Sequence, residues 1–152
     1  MAKLLTFFLF LFMGIPSIFS QIRQVDIVKK EISIINKGSA YELKASELED
    51  EQIKITFRND IKDKIDFGEI YLKSQKDFED LYEIILNGFN TKKDATIFVD
   101  LGASRLALFY SEMLWGNPQL QLIHSYKNAL YSTKSTKMLS KKDIIKFFKK
   151  DL

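Results

Sequence analysis

The chain of 152 residues contains no cysteine and a single histidine, His124. The first absence removes thiol nucleophiles, disulfides, iron–sulfur clusters and Cys-ligated zinc. The second removes every mechanism that needs two imidazoles. Arginine is scarce, 3 residues against 20 lysines. The guanidinium is the side chain suited to two-pronged recognition of phosphate, so this scarcity argues against a dedicated nucleic-acid binder. With only 2 prolines and 6 glycines, collagen-like and Pro-rich classes are excluded, and a hydrophobic fraction of 46% is too high for a disordered chain. No repeat, linker or low-complexity run follows residue 21.

The longest apolar run lies at the amino end. Lys3 precedes a mainly apolar block from Leu4 to Met13; Gly14 and Pro16 then break the helix, Ser17 and Ser20 are small, and Gln21 opens polar sequence. These are the parts of a secretory signal peptide, with cleavage expected after Ser20. Leu4 to Phe19 is 16 residues interrupted by Gly and Pro, short of the roughly 20 that a membrane span needs. No cysteine follows the apolar block, so acylation at a lipobox is excluded. The first 21 residues resemble signal peptides of some Gram-negative bacterial groups in which Gln follows the cut. That resemblance implies a bacterial protein exported to the periplasm or the cell exterior. Residues 21–152 form the expected single domain of 132 residues with a net charge of +2, large enough to fold without disulfides or a structural metal.

Periodicity then predicts an α+β fold: a mainly antiparallel sheet of about six to eight short strands, one helix near 75–88 and an amphipathic helix near 141–150. The second half of 22–35 reads as a strand, turning at Asn36 to Ser39 into a run from Ala40 to Leu43. Ile53, Ile55 and Phe57 alternate with Lys54, Thr56 and Arg58, a half-buried strand. Asn59 to Asp66 is a polar turn, and Gly68 to Lys73 the next strand. At Ser74 the period changes. Phe78, Leu81, Tyr82, Ile85 and Phe89 share one helical face behind a Ser74-x-x-Asp77 box, and Asn87-Gly88 is the expected stop. Ile97 to Tyr110, turning at Gly102-Ala103, reads as a hairpin apolar on both faces and hence central in a sheet. Leu120 and Leu122 mark another strand, and Asn128 to Ser132 a further one. Ser140-x-x-Asp143 opens the last helix, with Ile144, Phe147 and Phe148 opposite Lys142, Lys146, Lys149 and Lys150.

Chemistry-bearing patterns are sparse. His124 is in phase with Leu120 and Leu122, which places it on the apolar side of its strand as a core or rim residue, and no nucleophile motif accompanies it. Carboxylates are numerous, but nothing selects a catalytic pair. Glu47 to Glu51 reads as a solvated turn. Asp60, Asp63 and Asp66 recur every three residues, and Lys62 and Ile65 stand where a calcium loop needs ligands. No metal or cofactor is indicated. Charge is unevenly spread, net +6 over 127–152 and −4 over 21–126. The lysine face of the last helix is therefore a candidate surface for an anionic partner. The loop around Trp115, with Tyr110 near it, is a candidate for stacking on a glycan or gripping a protein.

The function expected from these features is that of an exported, non-enzymatic binding or interaction module, with protein, glycan or anionic envelope surface as partner. The nominated residues are Trp115, Tyr110, Lys142, Lys146, Lys149 and Lys150. The alternatives are a small carboxylate-dependent hydrolase acting on an envelope polymer, which needs a pocket with convergent polar groups, and a structural or assembly subunit, which needs an open sheet edge or a groove awaiting a strand.

Overall fold

The computed structural model describes residues 26–37, 40–90, 95–112, 116–129 and 132–148. The expected leader over 1–20, Trp115, Lys149 and Lys150 lie outside the described residues. The fold is α+β. Strands β1 (Val28–Lys37), β2 (Ala40–Leu48), β3 (Ile53–Arg58) and β4 (Phe67–Leu72) form one antiparallel sheet in that order, and helix α1 (Gln75–Phe89) follows. The second sheet runs β5 (Thr96–Asp100), β6 (Ser104–Glu112), β7 (Pro118–Tyr126), β8 (Lys134–Ser135), with β9 (Leu139–Ser140) also pairing with β7. Helix α2 (Lys141–Phe147) closes the described part of the chain.

The strands form where side chains alternate. Ile53, Ile55 and Phe57 turn inward, facing Ala45 and Leu43 of β2 and Ile70 and Leu72 of β4, while Lys54, Thr56 and Arg58 turn out. In the second sheet Leu106, Leu108 and Tyr110 line up with His124, Leu122 and Leu120. Helix α1 packs against β4 of the first sheet and β6 and β7 of the second. Its face of Phe78, Leu81, Tyr82, Ile85 and Phe89 thereby joins both inner surfaces into one continuous core. Helix α2 packs against β1, β7, β9 and α1, and the ring of Phe148 lies 4.4 Å from that of Phe78 and 5.0 Å from that of Tyr82. Each such large side chain contributes about 1.5–3 kcal/mol on full burial.

Several local expectations change. Nine strands are present among the described residues, because β8 and β9 are too short to show a period. Of the strand expected at Asn128 to Ser132, Leu130 and Tyr131 lie outside the described residues; before them Ala129 N–H donates to the Tyr126 carbonyl in a turn, and the next described strand starts at Lys134. The acidic group is only partly a turn: Glu47 belongs to β2 and meets Lys29 at 2.7 Å. Helix α1 runs through Gly88 to Phe89 and is capped by Asn90. Gly88 serves close packing instead, since a Cβ there would run into the Tyr110 ring and hydroxyl. Among the described residues strand β5 pairs only with β6 and lies at the sheet edge. Its outward residue Phe98 is apolar yet 66% exposed, which is what made the strand look central.

Candidate functional site

Of the residues nominated from sequence, Tyr110 faces inward. It is 2% exposed; its hydroxyl donates to the Ile85 carbonyl at 3.0 Å and its ring meets Phe89 edge-on at 5.3 Å. Burial pushes its ionisation well above the ordinary phenol range. Lys142 and Lys146 are exposed on α2, on the side opposite Ile144 and Phe147. His124 is 2% exposed, on the apolar face of β7 as its phase predicts. Its Nε2 has no hydrogen-bond partner, its ring lies against Tyr126 at 4.9 Å, and burial lowers its pKa. Its cross-strand neighbours are Leu106 and Lys134. The Lys134 ammonium is directed elsewhere, to Asp66 Oδ1 at 2.9 Å and the Phe67 carbonyl at 2.6 Å.

The outer face of the first sheet carries a polar cluster. Lys54 Nζ lies 2.9 Å from Asp26 and 2.8 Å from Glu69, and the Tyr71 hydroxyl donates to the same two carboxylates at 2.7 and 3.1 Å. Burial, reinforced by the bond to Asp26, pushes the Tyr71 pKa up to about 12. Burial works against the Lys54 ammonium, but its bonds to Glu69 and Asp26 outweigh that and raise its pKa. Both groups therefore keep their protons at neutral pH, and the cluster ties the start of β1 to the sheet. A hollow of 440 Å³ beside it is bounded by Asp26, Ile27, Leu48, Glu49 and Asp50, all from one corner of that sheet. Among the described residues no three His, Asp or Glu side chains gather into a set able to hold a metal ion, and no helix is long and apolar enough to cross a membrane.

The site that draws on several segments at once is a cleft of 270 Å³ between α1 and the ends of β4 and β5. It starts at the corner where β4 becomes α1. Ser74 Oγ accepts from Asp77 N–H at 3.2 Å, and the Asp77 carboxylate accepts from Lys73 N–H at 3.0 Å. The box expected at this helix start is thus displaced by one residue at its second bond. With that corner held, Asp77, Asp80, Leu81 and Ile84 form a stripe of i, i+3, i+4 and i+7 along the flank of α1. The opposite wall is the β5–β6 hairpin. Asp100 Oδ1 accepts from Gly102 N–H at 2.8 Å, and Gly102 sits at φ +82, where a Cβ would be strained. Leu72, Leu81, Ile84, Val99 and Leu101 make the walls apolar, and Tyr71, Lys73, Asp77, Asp80 and Asp100 stand at the rim. The Lys127 ammonium lies 2.8 Å from Asp100 and holds its carboxyl below the usual range. Asp80 meets Lys76 at 2.7 Å.

Both strands that reach this cleft are sheet edges. None of the nominated residues lines it. Its apolar walls read in sequence as ordinary core positions, and the one local hint was an apolar outward residue, Phe98, in a five-residue strand. Comparison of the chain with protein-family models, with curated proteins and with solved structures finds no match.

Proposed function

We propose that this chain is an exported, non-enzymatic binding module whose ligand seats in the cleft between α1 and the ends of β4 and β5. The observation that carries the reading is the combination of apolar walls and a carboxylate rim, drawn from α1 and both sheets, in a hollow open to solvent. The buried titratable side chains His124 and Tyr110 lie away from it and serve packing. Support for export comes from the leader pattern of residues 1–20. The exposed Lys142 and Lys146 of α2 are a separate surface, suited to holding the module near anionic envelope material.

The reading is tested with a set of small apolar amines, titrated into isotope-labelled protein beginning at Gln21 and followed by backbone amide shifts. Binding should move the amides of Leu81, Ile84, Val99 and Leu101, and should be lost in Ile84→Glu. Shifts scattered away from these residues, or unchanged in the variant, would remove the cleft as the site. Fractionation of the source cells should recover a product whose amino terminus is Gln21.

A further inference from the structure

Resting on the cleft as the binding site, we propose that its ligand is an extended polypeptide segment of another protein that adds as an antiparallel strand to the open edge of β5. Alternate apolar side chains of the segment enter the cleft, and its Lys or Arg residues meet the carboxylate rim. The backbone of β5 is set for this. The Ala95 carbonyl accepts from Tyr110 N–H at 2.9 Å, and Leu101 N–H donates to the Ser104 carbonyl at 3.0 Å. The alternation of an antiparallel ladder therefore directs the N–H and C=O groups of Thr96, Phe98 and Asp100 away from β6, toward the open side.

The edge is also undefended. Strand β1, at the edge of the first sheet, carries three register irregularities together with Lys29, Lys30 and Glu31, the devices that discourage edge pairing. Strand β5 has the sequence Thr-Ile-Phe-Val-Asp, pairs in unbroken register with β6, and has neither lysine nor proline. Phe98 stands exposed beside this edge, with the Arg105 guanidinium 5.8 Å from its ring centroid.

Size and charge select the occupant. A cleft of 270 Å³ walled by apolar side chains of α1 and the ends of β4 and β5 suits the alternate side chains of a strand. Positions opposite Ile97 and Val99 would point the same way as those residues, toward Leu81 and Ile84 on α1. The rim carboxylates Asp80 and Asp100 are held by Lys76 and Lys127 in exposed pairs, which contribute little and are readily exchanged for a basic ligand residue. A second copy fits less well. A second β5 would bring the sequence Thr-Ile-Phe-Val-Asp, with no lysine or arginine to meet the rim carboxylates and with a further carboxylate at its end.

The test selects binders from a displayed library of random peptides about ten residues long, using the chain from Gln21. Selected peptides should alternate apolar with other residues, include Lys or Arg, and protect the Thr96, Phe98 and Asp100 amides from hydrogen exchange. Methylating every second peptide nitrogen, the set facing β5, should weaken binding at least about tenfold, and methylating the other set should change it little. Phe98→Pro removes an outward N–H without touching the β6 ladder, and should abolish binding that Phe98→Ala only weakens. Indifference to both methylation sets would overturn strand addition. If small amines still shift Ile84 and Val99 while no peptide is enriched, this proposal falls and the cleft reading stands. Concentration-dependent protection of Thr96, Phe98 and Asp100 without peptide, with a dimer in sedimentation, would make the occupant a second copy and overturn the proposal as well.

Discussion

Lys134 of β8 reaches across to Asp66, its ammonium 2.9 Å from the carboxylate, so that one side chain of the second sheet closes on the loop that precedes β4 in the first. The contact is part of a clasp. Asn59 Nδ2 donates to the same carboxylate at 2.8 Å, Ser135 N–H donates to Asn59 Oδ1 at 3.0 Å, and Asp60 N–H donates to the Ser135 carbonyl at 2.8 Å. A two-residue strand is thereby held from both sides.

Lys134→Met should destabilise the protein by about 1 kcal/mol, because the pair is partly solvated and the Phe67 carbonyl loses its charged donor. The Lys134 ammonium beside Asp66 holds its carboxyl below the usual carboxylate range. Its contribution is therefore present above the unfolded pKa of about 4 and is lost as pH falls through the lower folded value. Urea denaturation at neutral and acid pH should show a shallower acid loss in the variant.

His124 produces a second pH effect, at higher pH. Burial lowers its folded pKa, and Nε2 has no partner to stabilise a proton. The unfolded chain binds a proton near pH 6.5 more readily, so stability is complete above that value and declines as pH falls toward the folded pKa. His124→Leu should flatten the slope between about pH 6.5 and 5 and leave the variant no less stable at pH 5. Chemical denaturation across that range, compared with wild type, decides it.

Gly88→Ala opposes two effects. Helix propensity favours alanine by about 1 kcal/mol, but the new methyl would strike Tyr110, and overpacking costs about 1–3 kcal/mol. Net destabilisation is expected. Tyr110→Phe alone should cost about 1 kcal/mol through the lost bond to the Ile85 carbonyl. The double variant should be less damaged than the sum, because the hydroxyl is among the atoms the methyl meets. Thermal unfolding of the four proteins closes the cycle.

Helix α2 has seven residues, and its start carries a full capping box in which Ser140 and Asp143 each accept from the other's backbone N–H. Ser140→Ala should cost about 1 kcal/mol. Near-ultraviolet circular dichroism should register loosening of the Phe78, Phe147 and Phe148 rings on heating before the bulk transition.

Much of this architecture is visible in local pattern. The period of two across Ile53 to Phe57, its change at Ser74 and the Ser-x-x-Asp box at 140–143 each report a face that must be buried within a few residues of itself. Which strand lies beside which is a different kind of information. Ile97 and Val99 look the same whether β5 is flanked on one side or two, so the division into two sheets, and with it the cleft, depends on pairings between distant segments. Gly88 shows the same limit: a glycine near a helix end signals a stop unless a distant Tyr110 occupies the space its side chain would need.

The packing of α2 against β1 and α1 has a consequence for the order of synthesis. Residues 141–148 are made after β1 to β9 and α1, yet Phe147 and Phe148 pack on Phe78 near the start of α1. A nascent chain can form the first four-stranded meander early, but its interior stays open to water until α2 arrives. The finished core therefore depends on a helix far along the chain from the residues it covers, and truncation before Ser140 should leave a soft, protease-sensitive body however intact its strands are.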